Sequence, residues 1–407
     1  MSSSPVMTQA EWQFALTNSQ TKAAELFGKP EAEQRRLGYF HTLKEICQQP
    51  WTWLRTCDQM IASHDVLREI TSNIRSLAFT GSGSSEYAGE IVRSPVQSDL
   101  GVATACVSGG TLLLQGAKAL PIEKPGLLVS LARSGNSPES AGAVRLLVDS
   151  APDYKHLVVT CNAEGSLARS WNGHENVRVI TLPPETNDES LVMTSSFTNL
   201  VLAARYLGLL DRPDDYRTIC TSLSVLVQHL IQADFDTIAR VASADFRRVV
   251  FLGSSAQSGA AREAALKMLE MSSGRITTMS ESFLGLRHGP MSFVHDDTLV
   301  VCQLSSDPTA RAYELDLLSE LDRKQLGLCK LIVGENVPKT AVRAGDEVIH
   351  CPGMSKLGAS EAATVYVVVC QLLAFFRCLE EGLQPDSPSE GGVINRVVES
   401  FPLHTAS

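Results

Sequence analysis

The chain repeats itself. Residues 75–90 read RSLAFTGSGSSEYAGE and residues 247–262 read RRVVFLGSSAQSGAAR. Each is an apolar strand, a Gly/Ser turn and a run of small residues suited to a helix start. Gly81 and Gly253 are 172 residues apart, and the same interval separates Leu127-Leu128-Val129-Ser130 from Leu299-Val300-Val301-Cys302. A third pair of apolar runs follows, Leu157-Val158-Val159 and Leu331-Ile332-Val333. Two similar βαβ modules are therefore expected. Apolar strands alternating with helical stretches indicate parallel sheet covered on both faces. Such sheets bind ligands at the carboxyl ends of their strands, near the point where strand order reverses. The Gly/Ser turns sit where a ligand should be.

The rest of the chain is organised around the modules. Residues 1–70 hold no strand candidate and read as a helical extension, broken at Gly28-Lys29-Pro30 and at Pro50. The first module is expected over 71–212, with its next strand near 91–100 and a helix from Phe197 to Leu209 before a linker at Leu210–Pro213. The second is expected over 213–365, and 366–407 reads as a helix and tail with a Ser/Pro/Gly-rich loop at Pro385–Gly392.

Charge excludes one class of function. Lys and Arg total 35 against 45 Asp and Glu, a formal charge of −10, whereas sequence-independent nucleic-acid binding needs a basic face. A site for an anionic ligand must be local, built from backbone amides and a few side chains. The 10 cysteines are scattered without a Cys-x-x-Cys pair, so buried reduced thiols are expected rather than disulfides or zinc. The amino terminus shows no signal pattern, and the apolar run Thr364–Phe376 is shorter than the ~20 residues that span a bilayer. A cytoplasmic protein with a buried helix there, and no membrane or nucleic-acid partner, is expected.

Four motifs could carry chemistry. Gly81-Ser82-Gly83-Ser84-Ser85-Glu86 lacks the third glycine of a dinucleotide loop; it reads equally as a serine-capped tight turn or as a turn for a monosaccharide phosphate. In Ser130-Leu131-Ala132-Arg133-Ser134-Gly135-Asn136-Ser137-Pro138-Glu139-Ser140 a strand ends and a helix opens with proline in its first turn. Hydroxyls of Ser134 and Ser137 and the positive helix end would converge there on a phosphate. Glu263, Lys267 and Glu270 share one face of an Ala/Leu/Met-rich helix, a setting in which a glutamate can serve as general base. His288, in Arg287-His288-Gly289-Pro290, lies on a loop that can bring its imidazole to a site.

These motifs, with Met193-Thr194-Ser195-Ser196-Phe197-Thr198, resemble tandem sugar isomerase (SIS) domains from about Trp51 to Arg396. The isomerase half of glucosamine-6-phosphate synthase has the same order of parts. Ile46-Cys47-Gln48-Gln49-Pro50-Trp51 and Asn395-Arg396-Val397-Val398 are similar to the galactosamine-6-phosphate deaminase/isomerase branch, formerly described as tagatose-6-phosphate ketose/aldose isomerase. The resemblance implies an α/β fold of two tandem SIS domains. Each would be a flavodoxin-like three-layer parallel sheet flanked by helices. It implies that Ser84, Ser85, Arg133, Ser134, Asn136, Ser137, Thr194 and Ser195 bind substrate. Glu270 falls at the proton-transferring glutamate, Lys267 at the lysine one turn before it, His288 at the ring-opening histidine and Arg396 at a tail lysine. The activity implied is deaminating isomerisation of an amino-sugar 6-phosphate, with galactosamine 6-phosphate favoured, by a homodimer or higher homo-oligomer needing neither metal nor organic cofactor. Aldose–ketose isomerisation of a neutral sugar phosphate, deamination of glucosamine 6-phosphate and a non-catalytic sugar-phosphate sensor are the alternatives.

Overall fold

A computed structural model describes residues 6–404. Its strands form two parallel sheets. The first contains β1 (Ser76–Gly81), β2 (Ala103–Ser108), β3 (Gly126–Ala132), β4 (Tyr154–Thr160) and β5 (Val177–Thr181), in the order β2-β1-β3-β4-β5. The second contains β6 (Arg248–Leu252), β7 (Thr277–Glu281), β8 (Thr298–Gln303), β9 (Cys329–Gly334) and β10 (Glu347–His350), in the order β10-β9-β8-β6-β7. Renumbered within its own module, each order is 2-1-3-4-5, the flavodoxin-like arrangement, whose order reverses between its first and third strands. Registers repeat as well: Leu128 lies beside His156 in one sheet, as Val300 lies beside Lys330 in the other. The tandem α/β fold expected from the duplication is the fold observed.

Both sheets are nearly solid with apolar side chains. β1 and β3 are buried along their whole length, as is β8. Ala78, Leu112, Leu128, Ala143 and Leu147 form one core cluster of the first sheet. Val250, Leu252, Val300, Leu317, Leu321 and Ile332 belong to the corresponding core of the second. At about 25 cal/mol per Å² of apolar surface removed from water, such layers supply most of the driving force for folding.

The chain divides into two compact units. One holds the chain up to Pro50 with Thr221–Gly391, and so the second sheet; the other holds Trp51–Cys220 and the chain from Gly392, and so the first. These cuts differ from boundaries at 70, 212 and 365 for identifiable reasons. Trp12 Nε1 donates to the Gln228 carbonyl at 3.0 Å, and the Thr21 and Lys22 amides donate to Asp236 at 2.7 and 2.8 Å. These bonds tie the amino-terminal helices to the 30-residue helix Pro213–Ala242. Helix Ala359–Glu380 runs unbroken through position 365. At 22 residues it is longer than the run read from sequence, and by length and composition it could cross a membrane. It is instead buried from Ser360 to Cys378 and packs on helix Ala256–Met271. The segment 91–100 is helix, not strand: Ile91, Val92 and Val96 fall on the buried face of Ser84–Leu100, which Gly101 ends with φ 67°. Among the described residues none of the ten cysteines forms a disulfide, and only Cys106 and Cys329 are more than slightly exposed.

Candidate active site

In the first unit of chemical interest, the turn after β3 lies at the reversal point of the sheet. Gly135 takes φ +64°, a left-handed conformation that glycine accepts without strain. The turn closes when Asn136 N–H donates to Ser134 Oγ at 3.2 Å. A serine oxygen used as acceptor keeps its O–H free to donate to an anion. Ser137 is the N-cap residue of helix Pro138–Ser150, and its side chain makes no capping bond. Its hydroxyl and the first-turn N–H groups, which no helix carbonyl can satisfy, therefore face the same space. Asn136 is otherwise employed: its Oδ1 accepts from Ser166 N–H at 2.8 Å and holds the start of helix Ser166–Trp171. Across the sheet, Ser84 and Ser85 are buried in the first turn of their helix, with Ser85 Oγ directed at Met193 Sδ, 3.9 Å away. Gly81 is obligatory before them, because a Cβ there would lie 2.6 Å from the Ser85 carbonyl carbon.

Thr194 and Ser195 lie in the loop and helix start after β5. Both are fully buried. Thr194 Oγ1 donates to Asp188 at 3.2 Å, while Ser195 Oγ lies 3.3 Å from Thr52 Oγ1 and from Asn199 Nδ2. Their motif builds the start of helix Ser195–Tyr206. Arg133 and Arg396 are turned toward backbone: Arg133 Nη1 donates to the Leu191 carbonyl at 2.9 Å, and Arg396 Nε to the Asp188 carbonyl at 2.8 Å.

Four polar groups near the turn were not anticipated as ligands. Thr80 Oγ1, Ser82 Oγ, Ser130 Oγ and Glu139 Oε2 are shut off from solvent without a hydrogen-bond partner. Leaving such a group unpaired costs about 1–3 kcal/mol, and a polyhydroxylated phosphate offers the donors and acceptors they need. Thr80 and Ser130 lie side by side in register. Ser130 carried a signal, as the one hydroxyl in the apolar strand Gly126–Ala132.

The other unit carries the acid–base groups. On helix Ala256–Met271, Lys267 is 1% exposed and its Nζ lies 3.5 Å from Glu263 Oε1, which is fully buried. The same ammonium pairs with the Glu270 carboxylate, whose side chain keeps 21% exposure. Burying a lysine requires such compensation, and the result is a fixed carboxylate at the edge of the core. His288 is exposed, beyond the short helix Phe283–Leu286, which Ser282 Oγ caps by accepting from Gly285 N–H at 2.9 Å. The loop is anchored beside it by Arg287 Nε on Glu320 at 2.8 Å, and Lys324 with Arg287 holds that carboxyl down at about 2. Glu281 is spent locally, accepting from Ser282 N–H at 2.7 Å. Among the described residues no group of three or more His, Cys, Asp or Glu side chains could hold a metal ion.

Two parallel sheets of this order, one with a serine turn at its reversal point and one with a Glu–Lys–Glu helix, are the architecture of tandem sugar isomerase (SIS) domains. No family model matches the chain. It is 33% identical to D-galactosamine-6-phosphate deaminase AgaS of Escherichia coli O157:H7 over 89% of its length and 95% of the relative's. With the AgaS of Shewanella sp. strain ANA-3 it shares 33% identity over 92% of its length and 94% of the relative's. The crystal structure of tagatose-6-phosphate ketose/aldose isomerase from Escherichia coli superposes with a TM-score of 0.81 at 30% identity, covering 89% of this chain and 96% of that one. The chain belongs to the AgaS family of sugar isomerase proteins.

Proposed function

We propose that the protein is a deaminating isomerase that converts galactosamine 6-phosphate and water to a ketose 6-phosphate and ammonia. The observation that carries this reading is 33% identity to a D-galactosamine-6-phosphate deaminase along nearly the whole of both chains. In the mechanism we infer, Ser134, Ser137 and the amides of helix Pro138–Ser150 anchor the phosphate, with Arg133 adding charge beside them. His288 moves a proton between O5 and O1 to open the ring. Glu270, held by Lys267, takes the C2 proton and returns it to C1, which converts the aldehyde–amine into a C2 imine through an enolamine. Water adds to the imine and ammonia leaves. A positioned base of this kind is worth about 10²–10⁴-fold in rate, and orientation of the bound sugar supplies a further large factor. Arg396 takes part through the loop it holds.

The resemblance to a tagatose-6-phosphate ketose/aldose isomerase supports a second reading, isomerisation of a neutral sugar phosphate by the same residues. One assay separates them. Galactosamine 6-phosphate given to the purified protein should yield ammonia and ketose 6-phosphate in equal amounts; interconversion of neutral sugar phosphates with no ammonia from the amino sugar would favour the second. We further propose a cytoplasmic enzyme working as a homodimer or higher homo-oligomer, supported by ten cysteines that form no disulfide among the described residues and by its family; a monomer by light scattering would refute the assembly.

A further inference from the structure

We propose that Asp188 is the positioning residue that sets Arg133 and Arg396 beside the serine turn, and so governs how tightly the site holds phosphate. The inference rests on the phosphate reading of that turn. Asp188 is 1% exposed. Its carboxylate accepts from the N–H groups of Thr194, Ser195 and Ser196 at 2.8, 3.1 and 2.9 Å, and from the hydroxyls of Thr194 and Ser196 at 3.2 and 2.5 Å. Charge-assisted bonds to backbone N–H at a helix start are among the stronger ones available to a side chain. Five on one carboxylate fix the whole loop 187–194.

The same loop then presents its acceptors to two guanidinium groups. Arg396 Nε donates to the Asp188 carbonyl at 2.8 Å and its Nη2 to Asn187 Oδ1 at 2.8 Å. Arg133 Nη1 donates to the Leu191 carbonyl at 2.9 Å, and its Nη2 to the carbonyl of Arg396. The acceptors in these bonds are neutral oxygens, which orient a guanidinium without cancelling its charge. Arg133 is 7% exposed and adjoins Ser134 in the chain, and its guanidinium is held on the carbonyls of Leu191 and Arg396. Helix capping alone explains the five bonds to the carboxylate. It does not explain why an arginine 208 residues downstream closes on the carbonyl of the same residue.

The test is binding of inorganic phosphate to the full chain by calorimetry, with kcat and KM measured alongside and folding followed by circular dichroism. Asp188→Asn places an amide N–H against backbone N–H groups and should weaken phosphate binding about tenfold or more, raising KM while kcat changes little. Arg396→Ala leaves the cap intact and should weaken binding by a similar factor. The double variant should bind no worse than Asp188→Asn alone, because both act through one route. Phosphate binding unchanged in a folded Asp188→Asn variant, or losses that multiply in the double, would overturn the proposal. Should Asp188→Asn fail to fold, Arg396→Ala decides: unchanged binding there overturns it. A parent protein that turns over substrate yet binds no phosphate would sink the phosphate reading itself, and this inference with it.

Discussion

The two sheets share one strand order but treat their polar groups in opposite ways. At the reversal point of the first, the Ser134 and Ser137 hydroxyls donate to no side chain among the described residues. At the same place in the second, Asp307 caps helix Pro308–Arg323 by accepting from Ala310 N–H at 2.8 Å, and Glu314 accepts from Ser305 N–H at 2.7 Å. Carboxylates fill the positions an anion would need. A second contrast lies deeper. His156 in β4 and Lys330 in β9 occupy equivalent register positions, both about 1% exposed. Neither ring nitrogen of His156 has a hydrogen-bond partner, and burial, with His174 nearby, holds its pKa down at about 4. Lys330 instead pairs with Asp346, 2.7 Å away, and with Asp322. The framework of a duplicated fold is thus insensitive to how its copies settle their buried charges. One copy keeps serine hydroxyls at its turn, while the other places carboxylates there and carries the Glu–Lys–Glu helix.

Removing the buried ammonium tests the contrast most severely. Lys330→Met should destabilise the fold by about 3 kcal/mol, because buried Asp346 loses its nearest cation and keeps only Arg343, 3.6 Å away, and two backbone N–H donors; chemical denaturation measures it. Copying the carboxylate turn into the serine turn comes next. Ser137→Asp imitates Asp307 and remains a good N-cap, yet should raise KM for a sugar phosphate about 100-fold through like-charge repulsion. An unchanged KM would show that the two turns do not differ in the way described.

A smaller effect follows from His156. Since its folded pKa lies below that of the unfolded chain, the unfolded state takes up the proton first and stability falls as pH drops from about 6.5 toward 4. The loss should reach about 2 kcal/mol at pH 5, and His156→Leu should abolish that share of the acid sensitivity in denaturation curves taken across this range. Glu314→Gln should have the least effect. Burial already raises the Glu314 pKa, and an amide oxygen can still accept from Ser305, so a loss below about 1 kcal/mol with unchanged turnover is expected.

The sequence made the framework legible because that framework is local and repeated. The interval from Gly81 to Gly253 revealed the duplication, and apolar runs marked β1, β3 and β4 with their counterparts. The helix over Ser84–Leu100 was misread around 91–100 because its buried residues Ile91, Val92 and Val96 also suit a strand. The serine turn and the Glu263–Lys267–Glu270 face were legible as spacing on one helix or turn. Thr194 and Ser195 were not. Their burial depends on Asp188, six and seven residues back, and on Thr52, more than a hundred away. Arg396 likewise bonds a loop 208 positions earlier. Contacts of that kind leave no periodicity to read.

In the mechanism we propose, Glu270 carries the C2 proton of an amino-sugar phosphate to C1 and ammonia then leaves. Galactosamine 6-phosphate deuterated at C2, followed by NMR with ammonia assayed in parallel, tests it most directly. The parent should release ammonia and ketose 6-phosphate in equal amounts, with the deuterium transferred to C1 or washed into solvent. Glu270→Gln should bind the sugar with little change and lose both deuterium movement and ammonia release by the 10²–10⁴-fold typical of a positioned base. Ammonia released while deuterium stays at C2, or a Glu270→Gln variant retaining more than about a tenth of parental turnover, would contradict the claim.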